Sequence, residues 1–141
     1  METGPFPEPV SAHDPGSGRE AVSQQEVGRI GERAAAAALR SAGLRVLDRR
    51  YRKRFGEIDI VAGGGDIVVF VEVKTRTGTG FGRPADAVTP VKRARMARVA
   101  LSWLQRRGWL DRRCRFDVIE VWVAGTEARR VRHIPDAFRM G

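Results

Sequence analysis

Cysteine is almost missing from this chain: Cys114 stands alone among 141 residues. That excludes an intramolecular disulfide and any zinc site built from several thiolates. A lone thiol is compatible with a reducing compartment, and the cytoplasm is the expected location. Histidine is nearly as scarce. His13 lies in a Pro/Gly-rich stretch and His133 sits alone near the other end, so no Ser/His/Asp or Cys/His set competes for a catalytic role. No apolar run approaches the roughly 20 residues that span a bilayer. No basic segment followed by an apolar one opens the chain, so no secretory signal is expected. The glycines at 78, 80 and 82 match neither the spacing nor the strand-to-helix context of a nucleotide-binding fingerprint.

What is abundant is positive charge. Residues 1–26 carry five acids against one arginine, which leaves 25 bases and 12 acids, or +13, for residues 27–141. A domain that basic suggests a polyanionic partner, most often nucleic acid, which charge alone favours modestly over a mere compositional preference for arginine over lysine. With 42% hydrophobic and 30% charged residues, the chain has the makeup of one globular domain. Residues 1–22 are rich in Pro, Gly, Ser and acids without periodicity and read as a disordered tail. Residues 23–141 read as the domain.

Two runs near the middle organise the rest. Gly56-Glu57-Ile58-Asp59-Ile60-Val61 alternates apolar with acidic at period two, and Ile67-Val68-Val69-Phe70-Val71-Glu72-Val73-Lys74 is rich in β-branched residues. Both are strand signals, and the glycine-rich link between them makes a hairpin. Alternation puts Glu57, Asp59 and Val61 on one face of the first strand, and Phe70, Glu72 and Lys74 on one face of the second. A two-residue turn at Gly65-Asp66 pairs Gly64 with Ile67 and so sets Asp59 opposite Glu72. A three-residue loop would slip the register and part them. Opposed residues have Cβ atoms roughly 4.5–5.5 Å apart, where like charges repel. Two carboxylates in an apolar hairpin therefore need a cation or a proton between them.

A helix is expected over 23–42, with Ser23 and Glu26 as a capping box, Gly43 as C-cap, and an apolar stripe of Ile30, Ala34, Ala37, Ala38 and Leu39. Glu32 on this helix is either a solvated acid or a third carboxylate leaning toward the hairpin. A strand over 44–51 comes next, then the basic Arg52-Lys53-Arg54. Residues 75–87 read as a loop. A second helix, 90–107, has Thr89 as N-cap and Pro90 at its first position. Val91, Met96, Val99, Ala100, Trp103 and Leu104 form its expected buried face, and Lys92, Arg93, Arg95, Arg98, Arg106 and Arg107 its basic one. Strands are expected over 115–123 and 129–134, ended by Pro135, with a closing helical turn that returns Phe138 to the core. The order is α-β-β-β-α-β-β, a mixed α/β sheet flanked by helices.

Asp59 and the Glu72-Val73-Lys74 triplet have a logic for phosphodiester cleavage. Carboxylates hold Mg²⁺ or Mn²⁺, and the Val73 carbonyl is a further oxygen ligand. Such an ion acidifies water and stabilises charge developing on phosphorus. Lys74 would orient or help deprotonate the attacking water. The bland alternative is that the carboxylates merely pair with Lys74 and nearby arginines. Arg52, Lys53, Arg54, Arg76, Lys92, Arg93, Arg95 and Arg98 are the candidate nucleic-acid contacts. Asp117 is expected to pair with Arg115 or the basic helix in preference to acting as a ligand, and His133 to be structural.

The ordered set resembles the restriction-endonuclease-like (PD-(D/E)xK) superfamily, with an acid on the first helix, then Asp, then Glu-x-Lys. The motifs Gly31-Glu32, Gly56-Glu57-Ile58-Asp59, Phe70-Val71-Glu72-Val73-Lys74, Phe81-Gly82, Lys92, Trp103-Leu104, Arg115-Phe116-Asp117-Val118, His133-Ile134 and Ala137-Phe138 look like the YraN-like family of small bacterial proteins. That resemblance covers about residues 27–139. It implies a nuclease core similar to archaeal Holliday-junction resolvases, with Glu32, Asp59 and Glu72 as metal ligands and Lys74 as the catalytic lysine. Glu57 and Lys92 would support them. The expected activity is metal-dependent DNA cleavage, selective for branched or processed DNA, with RNA less favoured as substrate. The alternative is a non-catalytic module that binds nucleic acid and recruits a recombination or repair partner. A homodimer would supply two sites for cutting both strands.

Overall fold

A computed structural model describes residues 22–77 and 88–139. The expectation of a disordered tail over 1–22 lies almost wholly outside the described residues, as does most of the loop expected over 75–87. The elements are α1 (Gln24–Ser41), β1 (Arg45–Lys53), β2 (Gly56–Gly64), β3 (Ile67–Thr77), α2 (Pro90–Arg107), β4 (Arg113–Ala124) and β5 (Glu127–Phe138). They follow the expected order. The strands form one sheet in the order β1-β2-β3-β4-β5, with β3 and β4 parallel and every other neighbour antiparallel. The parallel pair needs a long crossover, and α2 lies within it.

The sheet has a helix on each face. Ile30, Ala35, Ala36 and Leu39 of α1 pack with Ile60, Ala62, Val69, Val71, Ile119 and Val121. On the other face Met96, Val99, Trp103 and Leu104 of α2 pack with Ile58, Val61, Phe70, Phe116 and Val118. β3 and β4 are apolar on both sides because both sides are covered.

Helix ends follow their chemistry. The Glu26 N–H donates to Ser23 Oγ at 3.0 Å, and the Lys92 N–H to Thr89 Oγ1 at 3.2 Å. Ala42 is the C-cap of α1, and Gly43 follows it at φ +86°, so the glycine expected as the cap stands one place beyond. The buried stripe of α1 also differs from expectation. Ala35 and Ala36 are buried while Ala37 is exposed. Five consecutive alanines offer no contrast in size from which to read the helix phase. Gly31 sets it instead, because a Cβ there would clash with the Thr75 side chain on β3.

Three further expectations are corrected. Thr75, Arg76 and Thr77 belong to β3 and not to a loop, since β3 pairs with β4 as far as Thr77↔Val123. Val91 is 60% exposed, because the first turn of α2 overhangs a cleft and not the sheet. There is no closing helical turn: β5 runs past Pro135 to Phe138. Between Val118↔Ile134 and Phe116↔Phe138, residues 135–137 face only Asp117, a bulge on an edge strand where proline is tolerated. Asp136 has φ +54°, and its N–H donates to Asp117 Oδ1 at 2.9 Å. Phe138 does return to the core, stacked on Phe116 at 4.8 Å.

The Gly31 contact predicts the sign of a substitution. Alanine is favoured over glycine by about 1 kcal/mol in a helix interior, yet overpacking costs about 1–3 kcal/mol. Gly31→Ala should therefore lose stability in urea unfolding, and adding Thr75→Ala should restore much of it. A Gly31→Ala protein as stable as the parent would remove Thr75 as the reason for the glycine.

Candidate active site

The β2–β3 hairpin turns at Gly65-Asp66, with Gly65 at φ +58°, and its ladder runs from Gly64↔Ile67 to Ile60↔Val71. This is the register that a two-residue turn dictates. Asp59 and Glu72 come next, and there the ladder stops. Asp59 Oδ2 accepts the Val73 N–H at 2.7 Å, so a side-chain carboxylate replaces the main-chain carbonyl that continued pairing would have supplied.

Strict alternation also fails at Asp59. Ile58 packs with the α2 cluster and Ile60 with the α1 cluster, although period two would put both on one face. Glu57, Asp59 and Val61 therefore do not form the single row expected. In β1, pairing passes from Arg49↔Ile60 to Tyr51↔Ile58, skips Arg50 and Asp59, and leaves Arg50 at φ +51°. From this kink the Arg50 guanidinium donates through Nε to Glu32 Oε1 at 3.0 Å.

Glu72 is 8% exposed, and its Oε2 takes a 2.6 Å ion pair from Lys92 Nζ at the start of α2. Glu57 pairs with Arg52 at 3.2 Å. Asp59, Glu72, Glu57, Lys92 and Arg95 line a cleft of about 420 Å³. Glu32 and Lys74 are not in its lining. Lys74 is half-buried, makes no ion pair with a described residue, and sits in register with Glu120. Among the described residues, no three acidic, histidine or cysteine side chains converge as a ready-made cation cluster.

Asp59 carries the electrostatic cost. Burial pushes its carboxyl up, the charge of Glu72 adds to that, and Glu32 and Glu57 add smaller pushes. The Val73 N–H opposes them, and the outcome is about 7. All four carboxylates thus share one field. Glu32, Glu57 and Glu72 each have a basic partner, whereas Asp59 has a main-chain N–H. Oxygen donors of this kind suit a hard divalent cation such as Mg²⁺ or Mn²⁺, and excess negative potential at Asp59 is what such an ion relieves.

Cations gather beside the cleft. Gly56 packs against Val99 and Arg95, and Arg98 lies 4.0 Å over the Phe55 ring, which ties the β1–β2 turn to α2. Arg52, Arg54, Arg95 and Arg98 are exposed there, and Lys53 is half-buried beside Tyr51. Arg93 instead donates to the Val88 carbonyl and covers Phe138. Arg76 reaches Glu120 Oε2 at 3.4 Å.

Sequence reasoning missed two residues. Arg50 gave no signal, because a left-handed arginine is not readable from composition. Glu120 did give one, as an acid inside an apolar strand. It is fully buried, with Arg76 and Arg132 at 3.4 and 3.7 Å. Asp117, also fully buried, pairs with Arg115 at 2.9 Å and lies 2.7 Å from His133 Nε2. Both Asp117 and His133 are structural.

Comparison with known proteins bears on kinship. The model of the uncharacterised protein family UPF0102 matches residues 31–121. The chain belongs to this family. It is 47% identical over 114 residues to the UPF0102 protein of Geobacter sulfurreducens, covering 81% of this chain and 89% of that one. The UPF0102 protein of Symbiobacterium thermophilum is 46% identical over 114 residues, covering 81% and 97%. The YraN-like kinship expected from the sequence holds at this level. The match starts at Gly31, takes in Glu32, Asp59, Glu72, Lys74 and Lys92, and ends one residue beyond Glu120.

The raised carboxyl of Asp59 has a definite sign in stability. Its folded value of about 7 lies above the ordinary 3.8, so the folded state holds the proton more tightly. That contribution is whole below the unfolded value and is lost as pH rises toward 7, after which it levels off. Denaturant unfolding from pH 5 to 8.5 should show the parent weakening relative to Asp59→Asn up to about pH 7, by at most about 1.4 kcal/mol per pH unit. A difference that stays flat across this range would mean Asp59 titrates normally.

Proposed function

We propose that this protein is a divalent-metal-dependent endonuclease of the restriction-endonuclease-like type, acting on branched or processed DNA. One observation carries the reading: Asp59 and Glu72 meet where the hairpin ladder ends, in a cleft bordered by basic side chains. A carboxyl raised to about 7 by burial and then by the charge of a second carboxylate serves no packing purpose, and arginines beside it suit phosphate.

In this reading Asp59 and Glu72, with the Val73 carbonyl, hold Mg²⁺ or Mn²⁺, and Glu32 and Glu57 add negative field. The bound ion would supply positive charge against the phosphate oxygens and make nearby water more acidic. Lys74 follows Glu72 on the same strand face, where its ammonium orients the attacking water and offsets charge on phosphorus. Arg52, Lys53, Arg54, Arg76, Arg95 and Arg98 grip successive phosphates, which positions the substrate without reading its bases. Arg93, bonded to Val88, contributes least. Two copies would present two sites to a junction.

A second reading has its own support. Lys92 already neutralises Glu72 at 2.6 Å, as would suit a nuclease-type fold that binds nucleic acid without cutting and recruits a DNA-processing partner.

Labelled single strand, duplex, flap and four-way junction, incubated with Mn²⁺, separate the two. Cleavage of one structure is expected, falling at least about 100-fold in Glu72→Ala and Lys74→Ala while DNA binding persists. Equal cutting by those variants would refute the site. Salt-sensitive binding with no cutting anywhere on the panel would favour the recruiting module.

A further inference from the structure

Lys92 is oddly placed for a lysine. It sits in the first turn of α2, with Thr89 as N-cap and Pro90 beginning the helix. The positive end of the helix dipole disfavours a cation there, and that turn holds no acid to offset it. Lysine is also rare in this chain, occurring only at 53, 74 and 92 against 23 arginines. Of those three, Lys92 lines the carboxylate cleft and Lys74 stands two residues past Glu72 on β3. A chain that uses arginine nearly everywhere keeps the compact ammonium where a point charge is needed, since a guanidinium is a wide planar fork.

The contact it makes explains the placement. Lys92 Nζ and Glu72 Oε2 lie 2.6 Å apart, with Glu72 nearly buried and the Lys92 side chain 46% exposed. One end of the pair is fixed by the sheet, and the other is a flexible stem rooted at the rim of the cleft. Glu72 cannot serve Lys92 and a divalent ion equally well, because two cations held at one carboxylate repel each other.

We propose that Lys92 is a tethered counter-ion that occupies the cation position at Glu72 in the free protein and is released when a divalent ion binds. Once released, its ammonium lies at the cleft mouth beside Arg95, where it contacts a phosphate of the nucleic acid. Glu72 is thus held neutralised until a divalent cation arrives. This deepens the metal-site reading proposed above and rests on it.

The test reads binding, not turnover. Mn²⁺ is titrated calorimetrically into the full chain, Lys92→Met and Glu72→Gln at one fixed pH. Lys92→Met should bind Mn²⁺ about tenfold more tightly than the parent and duplex DNA several-fold more weakly, and Glu72→Gln should lose the Mn²⁺ site. A second readout uses ¹³C-methylated lysines, which give one signal for each of the three side chains. The Lys92 signal, identified by its loss in Lys92→Arg, should shift on adding Mg²⁺ to the parent and stay put in Glu72→Gln. Parent and Lys92→Met binding Mn²⁺ equally, or Lys92→Met binding it more weakly, would overturn the counter-ion while leaving the metal site standing. Absence of Mn²⁺ binding in both would overturn the counter-ion and the metal site together.

Discussion

The bond from the Val73 N–H to Asp59 Oδ2 joins the fold to the site. A hairpin that ends inside a sheet leaves a main-chain donor needing a partner, and a half-buried donor without one costs about 1–3 kcal/mol. Asp59 meets that need with its side chain, which frees the backbone of β2 from β3. Ile58 can then join the α2 cluster while Ile60 stays with the α1 cluster. The same bond fixes the Asp59 carboxylate beside Glu72. One hydrogen bond thus ends the ladder, lets the strand turn over and holds Asp59 where burial, and after it the charge of Glu72, raise its carboxyl to about 7 against the opposing effect of the bond itself.

The basic charge of the domain is not all equally available to a phosphate backbone. Arg115 is bound to fully buried Asp117, and breaking a buried pair typically costs about 3–5 kcal/mol. Arg52 and Glu57, with side chains 70% and 34% exposed, are held by a pair of a kind worth about 0–1 kcal/mol. Phosphate can recruit Arg52 at little cost and Arg115 hardly at all. On the proposed reading, net charge therefore overstates the surface open to phosphate, and the cations left for it are those around the β1–β2 turn and the first half of α2.

Much of the site was legible because it rests on period two and a short turn. Gly65-Asp66 is a two-residue loop, so the register of β2 on β3 followed by counting. The same holds for α2, whose N-cap and proline mark its start. What could not be read were the breaks in period. Arg50 in a left-handed conformation, the turnover at Asp59 and the bulge after Ile134 are all supported by groups distant in sequence: the Glu32 carboxylate, the Val73 N–H and the Asp117 carboxylate respectively. Local pattern contains none of those partners. Pro135 looked like a strand terminator because the rule is local, whereas Asp117 supports the bulge from the neighbouring strand. The phase of α1 failed for a related reason, since Thr75 decides it from across the sheet.

An exchangeable ion pair and a permanent structural one look alike in a static fold, and the exposure of Lys92 bears on which of the two it forms with Glu72. Were Lys92 buried with Glu72, removing it would strand a charge in a low dielectric, and the pair would be a permanent structural feature. With nearly half of its side chain in solvent, the ammonium can regain water as it leaves. Its attraction is then that of a partly exposed pair, a few kcal/mol at most, which a doubly charged ion facing two carboxylates can exceed. Arg50 on Glu32 and Arg52 on Glu57 are exposed to similar or greater degrees. Among the described residues, each basic partner at the site is thus more exposed than the acid it pairs with. A site meant to stay neutral would bury its cations too. This one keeps its acids fixed and its cations replaceable, as a site that exchanges partners requires.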